Sequence, residues 1–347
     1  MLQPLLFAFL FFAFVAARQA RLAAAGHAPH HYMNRFKIAK RQSGDANTPL
    51  MLTNWCPDSV WPAIDSQGGT GPSNTGFELA SGDNQTEYVS SDWQGRVWGR
   101  TNCTFSGHGG GSACTTGDCG GLEACQGPGA PPATLAEFTL NGGQQQTFYD
   151  LSLVDGYNLP MAIVMLPNSN TDLTTLDPST TNPSCVASAG NLAPPTFNPY
   201  TNSQQFLGTD SNSPLPFDTK ITAATISQWC PWDLQVTPPS KPANGAYPYP
   251  DTKIPRPAFD PCYSACAKYN TDAYCCTGTA DERGKCSPNY YSKAAKQVCP
   301  DAYSYAYDDQ DSTFVQPTGG GFQMIFCPGG RSTDIIGRKG VGVIEHT

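Results

Sequence analysis

Residues 134–158 read TLAEFTLNGGQQQTFYDLSLVDGYN, a strand-like and otherwise uncharged stretch that holds three carboxylates, Glu137, Asp150 and Asp155. Phe148, Asp150, Ser152 and Val154 alternate with Tyr149, Leu151 and Leu153, which is the period of two expected of a strand. A second short run, GFQMIFCP at 321–328, has turn residues on both sides, and helical periodicity is confined to one candidate, YYSKAAKQV at 290–298. These runs predict an all-β fold, a sandwich or barrel with short helices. Parity puts Glu137 on one side with Leu135 and Thr139, whereas Asp150 and Asp155 fall on opposite sides unless the chain bends near Gly156. The three acids are therefore either a catalytic set or the wet face of a sheet.

The first seventeen residues carry no charged side chain, are dominated by Leu, Phe and Ala, and end in Val15-Ala16-Ala17. The run is too short to span a bilayer and reads as a signal peptide, 1–17, although it lacks the usual basic residue near its start. Residues 18–41 hold six basic residues and no acid, and close on Lys40-Arg41. They read as a pro-segment cut after Arg41, leaving a mature chain of 42–347. Removing six of the 20 Lys+Arg leaves 14 against 28 Asp+Glu, so a net charge of -8 becomes -14. That balance argues against nucleic acid, whose affinity rests on basic side chains at phosphates, and against an anionic lipid surface. It suits a neutral polysaccharide or a cationic partner. No later segment approaches the ~20 apolar residues of a membrane helix. A secreted monomer, extracellular or in a cell wall and without a membrane anchor or cofactor, is expected.

All 14 Cys lie between Cys56 and Cys327, an even number that reads as a disulfide framework in a secreted chain. Zinc is the competing reading for Cys262/Cys266 and Cys275-Cys276/Cys286, but only His108 and His346 remain after processing, so no metal is expected. Residues 50–180 and 300–328 read as sheet. Residues 185–299 hold eight Cys, with eight Pro between Pro238 and Pro261, and read as a disulfide-tied loop region with a stiff Pro-rich spacer. Residues 329–347 read as a C-terminal tail. Asn84 (Asn-Gln-Thr) and Asn102 (Asn-Cys-Thr) are candidate glycosylation sites.

In order along the chain stand WQGRVWGRTNC (93–103), CTTGDCGG (114–121), PPATLAEFTL (131–140), FYDLSLVDGYNLPM (148–161), YCC (274–276), CPDAYSYAYDD (299–309) and FCP (326–328). Together they resemble the thaumatin-like proteins, pathogenesis-related group five, over about residues 50–328. The resemblance implies a flattened β-sandwich, a disulfide-rich loop domain beside it and an acidic cleft between them. It also implies the pairs Cys56–Cys327, Cys103–Cys114, Cys119–Cys125, Cys185–Cys299, Cys230–Cys262, Cys266–Cys275 and Cys276–Cys286. The family has an eighth bridge, and both of its halves are missing here. The segments 186–229 and 231–261 are much longer than the family norm and are expected to reshape one wall of the cleft.

Nucleophilic catalysis of the Ser-His-Asp or Cys-His kind needs a base near neutrality, and only His108 lies in the core region. Its Gly-rich surroundings lack the Lys of a phosphate loop and read as a disulfide-pinned turn. Paired carboxylates remain, the chemistry of glycoside cleavage. The resemblance implies a cleft of Arg96, Glu137, Asp150, Asp155 and an Asp that is either Asp308 or Asp309. Glu137, in an apolar strand, is the expected general acid because desolvation would keep it protonated. Asp155, ending a strand just before Gly156, is the expected nucleophile or base, with Asp150 in reserve. Arg96 would hold a carboxylate ionised or bind a sugar hydroxyl. The plainer reading of each Asp is a solvated strand or turn residue, and of Arg96 a structural ion-pair partner. Trp229, Trp232, Tyr247, Tyr249 and Phe259 could stack on sugars or simply pack. The expected function is an endo-β-1,3-glucanase acting on cell-wall glucan. The alternative is a non-catalytic β-glucan-binding or antifungal defence protein.

Overall fold

The structure, a computed structural model, describes residues 46–107, 109–168, 171–237 and 260–339. The expected signal peptide and pro-segment, His108, the Pro-rich stretch with Tyr247, Tyr249 and Phe259, and residues 340–347 lie outside the described residues.

Ten strands form two sheets of five among the described residues. They are β1 (Ala46–Asn54), β2 (Val60–Gly68), β3 (Asn84–Ser90), β4 (Gln94–Thr101), β5 (Leu135–Thr139), β6 (Gln146–Ser152), β7 (Met161–Leu166), β8 (Ser184–Cys185), β9 (Phe314–Pro317) and β10 (Gly321–Phe326). One sheet has the order β3-β1-β10-β7-β8 and the other β2-β4-β5-β6-β9. All neighbouring pairs are antiparallel except β1 and β10, where Asn54 lies opposite Phe326 in a parallel pair.

The alternation read from sequence decides which face turns inward. Val97 of β4, Ala136 and Phe138 of β5, and Tyr149 and Leu151 of β6 join the main core. Phe138 and Tyr149 meet Phe322 of β10 at ring-centroid distances of 4.9 and 5.0 Å, which locks the two sheets face to face. The residues between them, Arg96, Glu137 and Asp150, necessarily face the other way. That outer face is covered too. Next to the charged residues, Ala63, Trp98 and Leu135 form a second apolar cluster with Ala133 and the Cys119–Cys125 loop. Fully buried Arg100 pins this loop by donating to the carbonyls of Leu122 and Glu123, each at 2.7 Å. Burial pulls its guanidinium down to about 10, against the opposing charges of Asp118 and Glu123, so it is still charged at neutral pH.

The loop region docks on the end of β6. Tyr303 exchanges backbone hydrogen bonds with Leu151 and Leu153, and Tyr157 with Cys262, all at 2.8 Å. The expected helix is present as Tyr290–Val298, begun by Asn289, whose side chain accepts from the amides of Tyr291 and Ser292. Tyr291 drives into the core and donates its hydroxyl to the Leu153 carbonyl at 2.7 Å. Seven disulfides join the same partners that the resemblance implies: Cys56–Cys327, Cys103–Cys114, Cys119–Cys125, Cys185–Cys299, Cys230–Cys262, Cys266–Cys275 and Cys276–Cys286. Each Cys of the competing zinc reading is thereby consumed.

Two expectations about the outlying segments need correction. Residues 329–339 are not a tail. Arg331 is 1% exposed and donates to the carbonyls of Ala193, Asp218 and Ile221. Thr333 pairs with Ser184, and Asp301 accepts from the amides that open the helix Ile335–Lys339. The long segment 186–229 serves the same corner: Phe197, Phe206 and Phe217 pack within 5.8–6.2 Å of one another, and Phe206 lies 6.1 Å from Trp55. Most of this insertion therefore builds the far flank by β8. Its end, at Trp229, packs against Tyr157 and Tyr291.

Candidate functional site

Register turns separate residues into a row. Asp65 of β2 pairs with Arg96 of β4, Arg96 with Glu137 of β5, and Glu137 with Asp150 of β6. Directly opposed residues of antiparallel strands have Cβ atoms roughly 4.5–5.5 Å apart, so the four side chains stand shoulder to shoulder across four strands. Asp155 reaches the same place by another route. β6 ends at Ser152, Val154 and Asp155 form a turn, and Gly156 takes φ +107°. The bend that parity demanded near Gly156 is present, and it returns Asp155 to Arg96.

Arg96 is the hub. Its Nε lies 3.8 Å from Asp65 Oδ2 and 4.0 Å from Glu137 Oε1, and its Nη1 lies 3.9 Å from Asp155 Oδ2. Gln67 completes the shell: with its amide oxygen turned inward it accepts from Nη2 and, at 3.0 Å, from Nε. Three carboxylates from three separate segments thus share one cation, an arrangement that leaves surplus negative charge to be met by a proton or a ligand. The shell is tight, with Arg96 5%, Glu137 3%, Asp150 4% and Asp155 6% exposed. Behind Asp150 stands Tyr303, whose phenol is pushed well up by burial and then by the charges of Asp150 and Asp309. Burial and then Asp155 do the same to Tyr291.

Asp308 and Asp309 have different neighbours. Asp309 accepts from the Tyr303 hydroxyl at 3.1 Å and from Arg283, on the Asp150 side. Asp308 is spent on its own turn, accepting from the amide and hydroxyl of Ser304 at 2.9 and 2.8 Å and pairing with Lys296 at 3.2 Å. Among the aromatic candidates, Trp229 is buried, donates to the Ala187 carbonyl at 3.0 Å and packs edge-on to Tyr157, which is a core role. Trp232 is half-buried. Asn84, at the start of β3, and Asn102 are both exposed. Among the described residues no group of three or more His, Cys, Asp or Glu is arranged to hold a metal ion.

Sequence reasoning missed Asp65 and Gln67. The available signal was a carboxylate in the run AID SQGG at 63–69, but its partner depends on a strand register that no local pattern specifies. Burial pushes the Asp65 carboxyl up from its ordinary 3.8, and Arg96 pulls it partly back. The folded protein therefore holds this proton more tightly than the unfolded chain, so Asp65's contribution to stability falls as pH rises above the unfolded value. Asp65→Asn removes that fall: the stability of the variant relative to the parent should rise between about pH 4 and pH 7, read from urea midpoints.

The turn that delivers Asp155 has its own test. A Cβ on Gly156 would lie 2.4 Å from the Cys262 carbonyl oxygen and 2.8 Å from Pro132 Cβ. Gly156→Ala combines that clash with a strained φ and should destabilise the protein by about 1–3 kcal/mol, measured by chemical denaturation, with the loop at Cys262 displaced.

Comparison with known proteins follows the same lines as the geometry. Residues 54–328 match the Thaumatin family. Pathogenesis-related protein 5 of Arabidopsis thaliana is 36% identical over 281 residues, 81% of this chain and 90% of that protein. Pathogenesis-related thaumatin-like protein 3.2 of Cryptomeria japonica is 37% identical over 278 residues, covering 80% and 86%. Thaumatin-like protein 1 of Pyrus pyrifolia is 36% identical over 292 residues, covering 82% and 93%. With two five-stranded sheets, a loop region tied by disulfides and a match over most of its length, the chain belongs to the thaumatin family.

Proposed function

We propose that the protein is a secreted endo-β-1,3-glucanase of cell-wall glucan, with Glu137 as general acid and Asp155 as nucleophile or base. The observation that carries this is the Arg96 hub, which holds Glu137 and Asp155 within 4.0 Å of one guanidinium. In this scheme Glu137 gives its proton to the glycosidic oxygen as the bond to C1 breaks. Asp155, 3.9 Å from Arg96 Nη1, either attacks C1 or takes a proton from the water that does. Asp150 and Asp309 line the same side through Tyr303 and would bind sugar hydroxyls. Seven disulfides among the described residues are bonds that an oxidising compartment permits, and exposed Asn84 and Asn102 are open to glycosylation there. No helix of the described residues is long and apolar enough to cross a membrane.

The burial of the site favours a second reading. With Glu137 3% and Asp155 6% exposed, little of either carboxyl meets a sugar in this arrangement, which suits a protein that binds β-glucan on its surface without cleaving it. Incubation with an insoluble linear β-1,3-glucan separates the two. Reducing ends appearing in the supernatant support the hydrolase, whereas retention on the pellet without any release supports the binder.

A further inference from the structure

β2 carries one residue more than its partner strand. Ser66 pairs with Gly95 and Gly68 with Gln94, leaving Gln67 as the extra residue of a bulge. Bulges bend a strand and re-aim a side chain, and they recur beside functional sites. Here the re-aimed side chain is the amide on Arg96. Nε–H of an arginine is a single donor, and Gln67 takes it at 3.0 Å. Asp65, at 3.8 Å, and Glu137, at 4.0 Å, face that same nitrogen from outside hydrogen-bond reach. Asp65 is also the most open of the three carboxylates on Arg96, with 16% of its side chain exposed against 4% for Glu137 and 9% for Asp155.

We propose that Asp65 and Gln67, carried on the β2 bulge, are positioning residues that hold the Arg96 guanidinium back from Glu137 and thereby set the pH at which Glu137 gives up its proton. A carboxylate that receives a guanidinium hydrogen bond ionises more readily, and one that faces a like charge ionises less readily. Gln67 withholds the first effect at Nε, the nitrogen that Glu137 faces, by taking its one N–H. Asp65 supplies the second and competes for the same cation. The other groups facing this site include Asp155 on Nη1 with Tyr291 beside it, Asp150 across from Glu137 on β6, and Tyr303 with Asp309 behind Asp150. None of them is substituted in the bulge variants below.

The proposal rests on the reading of Glu137 as the proton-holding acid, but its test does not need turnover. The chain contains six glutamates, so the full chain labelled with carboxyl-13C glutamate gives a resolvable titration by NMR, with the Glu137 signal assigned by its loss in Glu137→Gln. Asp65→Asn and Gln67→Ala should each lower the Glu137 midpoint by about 0.5–1 pH unit, a threefold to tenfold loss of proton affinity, while Asp65→Glu keeps it near the parent value. Near-ultraviolet circular dichroism identifies the folded variants, and two chemically different substitutions keep the test decisive if one of them does not fold. A midpoint that stays put or rises in the folded variants overturns the proposal. If the protein releases no sugar yet the midpoint drops, the hydrolase reading fails and the positioning role stands. If it does release sugar, the alkaline limb of kcat/KM, where the general acid loses its proton, must move down with the midpoint.

Discussion

Glu137→Gln should lower the release of reducing ends from a linear β-1,3-glucan by a factor of about 10²–10⁴ and leave retention on insoluble glucan unchanged. The substitution keeps the size and hydrogen-bonding outline of the side chain and removes only the proton that the leaving oxygen would receive. Glu137 is enclosed by Arg96 and Asp150 on neighbouring strands and sits on the face opposite Phe138 and the core, so the exchange asks little of the fold. Near-equal activity of parent and variant would remove Glu137 from the mechanism, and a matching loss of glucan retention would make it a binding group. Asp155→Asn should give the companion result, a similar loss at unchanged retention, because an amide can neither attack C1 nor take a proton from water.

Replacing Cys56 and Cys327 together by Ser should cost about 5 kcal/mol of stability, measured by denaturant unfolding without reductant. The bond spans 271 residues and fastens the ends of β1 and β10, the parallel pair in the middle of its sheet. Parallel neighbours so distant in sequence must be found across a long loop, and a cross-link between them removes much of the freedom of the unfolded chain. Both Cys are fully buried, with Cys56 at 0% and Cys327 at 2% exposure, so two hydroxyls would also enter an apolar core. A loss below about 1 kcal/mol would mean that the other six bridges already impose most of this constraint.

Where the chain alternates against a core, the sequence is transparent. Tyr149 and Leu151 inward with Asp150 outward is a local pattern, and so is the run Gly321–Phe326; both became strands with the faces that alternation demands. The helix Tyr290–Val298 was legible for the same reason, with Tyr291, Ala295 and Val298 on its buried face. The charged row was not, because it is a property of register. Asp65, Arg96, Glu137 and Asp150 become neighbours only once β2, β4, β5 and β6 have been aligned, and the bulge at Gln67 shifts part of that alignment by one residue. Glu137, Asp150 and Asp155 stand out in their own strand-like stretch, but Arg96 is tied to them in sequence only by the family resemblance, and Asp65 only by strand register. The segment around Arg331 misled in the opposite sense. Gly329-Gly330-Arg331-Ser332-Thr333-Asp334 has the composition of an exposed tail, yet carbonyls of residues 193, 218 and 221 close around its guanidinium. No local rule places those acceptors.

Whether the Arg96 hub arms Glu137 and Asp155 for glycoside cleavage can be read from a proton NMR time course. The substrate is a soluble linear β-1,3-gluco-oligosaccharide of about six sugars, offered to the parent protein across roughly pH 4–7 beside Glu137→Gln. Cleavage by this pair predicts new reducing-end anomeric signals with the parent and none with the variant, the first anomer to appear reporting retention or inversion. A spectrum unchanged across that pH range, in a preparation that still binds insoluble glucan, would contradict the account and leave a glucan-binding protein whose buried carboxylates serve only its structure.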